Sequence, residues 1–265
     1  MVKVIVSGAK GRMGTCIVNA VAAAEDLKLV GCFDPHCAGQ VVSCADGDFA
    51  CSDDLGALID ATGADVVVDF TQPGAVLSNV ECVLSHGAHA VVGTTGVARQ
   101  DMEALALKHA DKGGKLFFAP NFTTGAVLMM QFAKVAGKFF PDVEIVEMHH
   151  DGKKDAPSGT AVTTAHMIAE GRGGVRNAGP GSETEIAGCK GARGAEVDGV
   201  RIHAIRGDGY MASQEVILSA AGQTLTIRHD STLREDYMPG VLLAIRSVAS
   251  LQEPFTVGLE CLMGL

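Results

Sequence analysis

Residues 2–34 constrain the fold of this chain more than any other stretch. Residues 2–6 form an apolar run broken once by Lys3, the pattern of a buried parallel strand. Gly8-x-x-Gly11-x-x-Gly14 follows, and Met13, Ile17, Ala20, Val21 and Ala24 then recur at helical spacing. A second apolar run, residues 27–33, ends at Asp34. This is the pattern of a β-α-β unit. Its glycines permit a tight turn and a close approach of backbone to a pyrophosphate. The helix behind them offers unpaired N–H groups and the positive end of its dipole. A turn that merely packs helix on strand would show the same glycines. What favours a dinucleotide is the context: a strand before, a helix after, and an acid at the end of the second strand. A carboxylate at position 34 repels a 2′-phosphate and accepts from a free ribose. Its sequence neighbours Pro35 and His36 add no Arg or Lys. NADH is therefore expected to be preferred over NADPH, with Arg12 as the cation that would soften the preference.

The alternation continues. Residues 65–70 and 88–92 read as buried strands, with a helix between them opened by Pro73 and closed by Gly87. A helix at 99–110 and a strand at 115–119 follow. Strands alternating with helices imply a parallel sheet covered on both faces. Ligands of such sheets lie at the carboxyl ends of the strands, which here means residues 8–14, Phe70-Thr71 and 93–96. Beyond Asn121 the texture changes. A helix is expected over 126–139, then strands at 143–149, 200–206, 214–220 and 223–229 with few helices among them, hence a mixed sheet in a second domain. Residues 171–194 read as a polar loop, and 239–250 as a last helix returning to the first domain. The fold class is thus α/β: a Rossmann-type parallel-sheet cofactor domain plus a second α+β domain with a mixed sheet.

The formal net charge of −10 leaves no basic surplus for nucleic acid as a general partner. No apolar run is long enough to span a membrane. The chain opens on strand-like residues without a leader pattern. Its eight cysteines form no C-x-x-C pair, and free thiols in a reducing cytoplasm are expected.

Most of the chemistry lies in Glu147-Met148-His149-His150-Asp151-Gly152-Lys153-Lys154-Asp155-Ala156-Pro157-Ser158-Gly159-Thr160. A strand ends at two histidines, a loop carries two lysines, and Ser158 precedes an apolar helix pattern as a plausible N-cap. A helix start beside Lys153 suits a carboxylate, and His is the side chain best placed to donate a proton near neutral pH. A solvated polar loop capped by Ser158 would fit the same residues. A metal site is not expected, because neighbours on a strand point to opposite faces.

The segment E-x-H-H-x-x-K-x-D-A-P-S-G-T-A resembles the signature of the 4-hydroxy-tetrahydrodipicolinate (dihydrodipicolinate) reductase family. V-S-G-A-K-G-R-M-G at the start, V-D-F-T-Q-P, V-G-T-T-G, A-P-N-F and T-L-T-I-R-H-D agree in order along essentially the whole chain. The resemblance implies a cofactor domain of residues 1–121 and 235–265. It implies a substrate-binding and oligomerising domain of residues 122–234, and a homotetramer. It implies NAD(P)H-dependent reduction of a small dicarboxylate in diaminopimelate and lysine biosynthesis. His149 matches the family's proton donor and Lys153 its catalytic lysine. His150, Lys153, Ser158, Gly159 and Thr160 match its substrate contacts. On the cofactor side the matching positions are Gly8, Lys10, Gly11, Arg12, Met13, Asp34, Phe70, Thr71, Gly93, Thr94, Thr95, Asn121, Phe122 and Arg234. Two positions depart from the pattern: Ser213 replaces a histidine in H-Q-E, and Gln72 stands where some members have Arg.

Overall fold

In the computed structural model, which describes residues 1–174, 186 and 191–265, the opening unit is β1 (Val2–Ser7), α1 (Arg12–Ala22) and β2 (Leu27–Phe33). A hairpin of β3 (Val41–Cys44) and β4 (Gly47–Ser52) comes next, then α2 (Leu55–Thr62). These three elements are absent from the expectations above. The hairpin is largely exposed and lacks an apolar run, and α2 is a short helix. Its ends nevertheless carry ordinary signals. The Asp54 carboxylate accepts from the Ala57 N–H at 2.9 Å, and Gly63 closes the helix at φ +58°. The expected alternation then runs β5 (Val66–Asp69), α3 (Pro73–Ser85), β6 (His89–Val92), α4 (Arg99–Lys108) and β7 (Leu116–Phe118).

The chain next builds α5 (Thr124–Ala136), β8 (Asp142–His149) and α6 (Gly159–Gly171). Four strands follow: β9 (Ala195–Val197), β10 (Val200–Arg206), β11 (Ala212–Ala220) and β12 (Gln223–Ser231). Helix α5 starts two residues earlier and ends three earlier than its sequence pattern, because Gly137 follows Ala136. Of the loop expected over 171–194, residues 175–185 and 187–190 lie outside the described residues. The five strands order as β12-β11-β8-β10-β9. β8 and β10 are parallel and the other pairs antiparallel, so the sheet is mixed. One face of it packs Val143, Ile145, Ile202 and Val216 against Met129, Ala133, Ala165 and Ile168 of α5 and α6. The alternation along β8 puts residues 143, 145 and 147 on this inner face.

The last elements are α7 (Met238–Ser247), β13 (Phe255–Val257) and α8 (Glu260–Met263). By compactness the chain divides into Met1–Thr124 with Arg234–Leu265, and Gly125–Leu233. β13 pairs with β7, completing an eight-stranded sheet of order β13-β7-β6-β5-β1-β2-β4-β3. Every pair in it is parallel except the edge hairpin. Ile5, Val67 and Ala90 pack with Ile59, Val80 and Met102 of α2, α3 and α4. Val4, Val6, Val66 and Val68 are equally buried and, by the two-residue period, face the opposite side, where α1 and α7 lie. Among the described residues no helix is long and apolar enough to cross a membrane.

Candidate active site

In the first unit, the turn after β1 is built so that only glycine fits it. Gly8 has φ +78°, and a Cβ there would lie 2.9 Å from the Phe70 carbonyl oxygen. A Cβ on Gly14 would lie 2.0 Å from the Gly8 carbonyl oxygen. The Gly11 N–H donates to that same carbonyl at 2.9 Å. Helix α1 has Gly11 as its N-cap, with no side-chain cap and no acid in its first turn. Its leading N–H groups are therefore left for an anion. Arg12 is exposed and Met13 half-buried beside them.

Asp34 closes one side of this turn. Its carboxylate accepts from the Lys10 N–H at 3.3 Å and the His36 N–H at 3.2 Å. The Lys10 ammonium donates to the Val41 carbonyl at 3.2 Å. Lys10 is thus a second cation at this end of the turn, beyond the Arg12 that the sequence singles out. Arg234 lies in a 3-10 turn, Arg234–Tyr237, that contacts α1, and its charge acts on the thiol of Cys16 within that helix.

The other cofactor-side loops meet at Asp69, which sequence reasoning passed over. This carboxylate is 2% exposed and ends β5. One oxygen accepts from Ser7 Oγ and Asn79 Nδ2, each at 2.8 Å. The other accepts from Thr71 Oγ1 at 2.7 Å, Thr94 Oγ1 at 2.9 Å and the Thr71 N–H at 3.2 Å. The loops after β1, β5 and β6 are thereby tied to one buried group. The side chain of Thr94 is spent in this network, while Thr95 is exposed. Phe70 rests on Gly93, where a Cβ would be 2.2 Å from the ring. Its ring centroid is 5.3 Å from that of Phe122. Phe122 is 1% exposed, so its side chain serves the core. The Asn121 carboxamide oxygen accepts from the Thr123 N–H at 2.9 Å. Gln72 is the exposed N-cap of α3 and makes no capping bond.

In the second unit, β8 delivers Glu147 and His149 to the start of α6. Glu147 is wholly buried on the largely apolar inner face, and each of its oxygens is used. Arg206, at the end of β10, donates to both, at 2.8 and 2.9 Å. The Ser158 N–H donates to one at 3.1 Å, and His149 Nδ1 lies 2.5 Å from the other. Burial alone would push the Glu147 carboxyl up. The hydrogen bonds and charges of Arg206 and His149 outweigh it and hold the group below its ordinary value. His149 is also held below its ordinary value. Burial lowers it most, Glu147 raises it, and the charges of Lys153 and Arg206 lower it further. Among the described residues its Nε2 has no partner.

Around this pair, Lys153 Nζ bonds the Asp155 carboxylate at 2.9 Å. The lysine holds that carboxyl below its ordinary value. Arg206 also donates to the Asp155 carbonyl at 2.7 Å. Ser158 caps α6 by accepting from the Ala161 N–H at 3.2 Å. Gly159 is exposed and Thr160 half-exposed at the helix start, and His150, one residue beyond the end of β8, is exposed. The structure thus brings His149, Lys153, Ser158, Gly159 and Thr160 into one region. It adds Glu147 and Arg206, which residue-type reasoning overlooked. The signal for Glu147 was available: a carboxylate at the 143, 145, 147 period of a buried strand face needs a partner. Ser213, the position that departs from the family pattern, is buried opposite Asp230 of β12 and helps hold that carboxyl below its ordinary value. Its neighbour Gln214 donates to Thr164 Oγ1 at 2.8 Å, beneath the first turns of α6.

Known proteins resemble the chain over nearly its whole length. Family profiles described as dihydrodipicolinate reductase, N-terminus, and dihydrodipicolinate reductase, C-terminus, match residues 2–122 and 125–263. The 4-hydroxy-tetrahydrodipicolinate reductase of Listeria welshimeri is 48% identical, over 97% of this chain and 98% of its own length. That of Mycolicibacterium smegmatis is 45% identical, over 99% of each. The solved structure of dipicolinate-bound dihydrodipicolinate reductase from Paenisporosarcina sp. TG-14 superposes with a TM-score of 0.87 at 37% identity. It covers 98% of this chain and 99% of that one.

Proposed function

The chain belongs to the dihydrodipicolinate reductase family, and on that premise we propose that it reduces 4-hydroxy-tetrahydrodipicolinate to tetrahydrodipicolinate with NAD(P)H, a step of diaminopimelate and lysine biosynthesis. The observation that carries this reading is the assembly on one strand end of a histidine held by a buried carboxylate, a lysine and a capped helix start.

The residues present fit a dinucleotide. The Gly8–Gly14 turn leaves no room for a Cβ, the first turn of α1 is uncapped by any side chain, and Asp34 is anchored beside it. Gly8, Gly11, Arg12 and Met13 would hold the pyrophosphate, with Arg234 near α1, and Asp34 and Lys10 the adenosine ribose. Phe70, Thr71, Gly93, Thr95 and the backbone at Thr94, Asn121 and Phe122 would line the nicotinamide end. When bound, the nicotinamide supplies a hydride from its C4. Asp34 favours NADH, and Lys10 together with Arg12 narrows the margin.

In the proposed reaction the N–H groups of Gly159 and Thr160, with Lys153 and His150, bind the carboxylates of the cyclic substrate. Glu147 accepts the Nδ1 hydrogen of His149 and leaves Nε2 to carry the proton that is donated. The free chain favours neutral His149, because burial and two cations disfavour its charge. A dianionic substrate brings opposite charge to that spot and raises its proton affinity. Loss of the 4-hydroxyl as water leaves an unsaturated ring. The hydride and the His149 proton then add to that ring, so that one water leaves for each NAD(P)H oxidised. An acid held low in this way gives up its proton readily once the hydride has arrived. Lys153 exchanges Asp155 for a substrate carboxylate.

We further propose that residues 122–234 bind substrate and build a homotetramer, that residues 1–121 and 235–265 hold the dinucleotide, and that the chain works in the cytoplasm. The test of function is NADH oxidation, followed by absorbance, with substrate generated from pyruvate and aspartate semialdehyde. Steady loss of absorbance at ordinary enzyme levels is expected, with a higher kcat/KM for NADH than for NADPH. No loss with either cofactor would refute the function. A clear NADPH preference would refute only the role of Asp34.

A further inference from the structure

Glu147 and Arg206 do more than fill the core beneath the site. An apolar pair would suit the inner face of β8 at least as well, since burying an ion pair stabilises little. Yet Glu147 is fully buried there, and its four hydrogen bonds go to distinct parts of the site. Two come from the Arg206 fork. One comes from His149 Nδ1, the proposed proton donor. One comes from the N–H of Ser158, the residue that caps α6. Arg206 in turn reaches the carbonyl of Asp155, within the loop that joins β8 to α6. A single carboxylate is therefore bonded at once to the acid and to the anion cradle.

We propose that Glu147, held and neutralised by Arg206, is a positioning residue that fixes His149 as the Nδ1–H tautomer and locks its register to the helix start that binds the substrate carboxylate. The inference rests on the reading of His149 as proton donor.

The chemistry requires both partners. A carboxylate that accepts the Nδ1 hydrogen leaves the Nε2 lone pair as the only site that gains and loses a proton. An unpaired carboxylate hydrogen-bonded to the N-cap residue would repel an incoming dianion. The guanidinium fork removes that charge while leaving lone pairs for His149 and Ser158. The charged groups facing His149 are Glu147 on its own strand, Arg206 from β10, and Lys153 and Asp155 from the loop. Of these, Glu147 and Arg206 are the pair joined by a two-bond fork, and Glu147 is the group bonded to the imidazole.

The test uses the full chain labelled with 15N-histidine, together with Glu147→Gln. In the wild type, ring nitrogen shifts should show the neutral Nδ1–H tautomer of His149. Glu147→Gln keeps an acceptor oxygen but removes the charge. The His149 titration midpoint should drop by about one pH unit or more, kcat should fall about tenfold or more, and NADH affinity should hold within about twofold. A role limited to packing would leave the titration unmoved. Should Glu147→Gln fail to fold, Arg206→Lys keeps the charge but loses the fork and is expected to weaken dipicolinate binding by about tenfold. An Nε2–H tautomer in the wild type, an unchanged midpoint in Glu147→Gln, or unchanged dipicolinate affinity in Arg206→Lys would overturn the inference. Undiminished turnover of His149→Ala would instead overturn the proton-donor reading on which it rests. Loss of turnover in His149→Ala with no effect in Glu147→Gln separates the two.

Discussion

At the scale of single residues, the site turns on how two groups are held away from their ordinary proton affinities. His149 is pushed toward neutrality, chiefly by burial. If it supplies the proton, kcat/KM for the reduction should fall as pH rises through a value below the ordinary 6.5 of histidine, because the charged form is the active one. A pH profile of kcat/KM checks this, and a rate that rises with pH across that range would contradict it. His149→Ala and Lys153→Ala are each expected to lower kcat by about a hundredfold or more, measured as initial rates of NADH loss. His149, Lys153 and the capping role of Ser158 were legible from residue type and order. The Glu147–Arg206 fork was not, because its partners lie 59 positions apart and pair only through the parallel contact of β8 with β10. No local pattern records such a pairing.

At the scale of elements, the strand-then-glycine-turn-then-helix pattern read correctly because two positions, Gly8 and Gly14, leave a side chain no room. Gly14→Ala would drive a Cβ to 2.0 Å from the Gly8 carbonyl, so the turn must open. The expected outcome is a rise of about tenfold or more in KM for NADH with little change in dipicolinate affinity. Asp69→Asn tests the hub of the three loops. Both carboxylate oxygens receive donors, so an amide NH2 on either side must face another donor. A loss of about 1–3 kcal/mol in unfolding free energy is expected, read from urea denaturation. A value near zero would mean that the charged acceptor is not needed to hold the three loops. Elements with strong periodicity, β1, β5, β6 and β8, were found by their apolar runs. The β3–β4 hairpin, α2 and β13 were not, because they are short or largely exposed and their apolar residues form no readable stripe. Asp69 escaped notice for a related reason. In sequence it is one acid after three valines, and only the fold brings Ser7, Asn79, Thr71 and Thr94 to it.

At the scale of the whole molecule, acid should unfold the protein from both units at once. In the second unit, Glu147 is held low against its own burial by Arg206 and His149, Asp155 by Lys153, and Asp230 by Arg228. Their contribution is complete above the unfolded-state values of 4.5 and 3.8 and is lost as pH falls through the lower folded values. His149 and, in the first unit, His89 are lowered by burial. They add stability above 6.5 that is likewise lost toward acid. Between neutrality and the pI near 5.3, relief of the net negative charge opposes this loss. Below the pI the two act together. Tm by circular dichroism is therefore expected to fall steeply from about pH 5 to pH 3, and a flat Tm over that range would contradict the assignment. That a second, mixed sheet follows the parallel one was legible from the change in texture after Asn121. The central claim, hydride transfer to a cyclic dicarboxylate, is tested most directly by a single turnover with NADH deuterated at the transferable C4 position and 4-hydroxy-tetrahydrodipicolinate formed in place. Mass spectrometry of the product should show tetrahydrodipicolinate carrying one deuterium per NADH oxidised. Oxidation of NADH with no deuterium in the product, or no reaction at all, would contradict it.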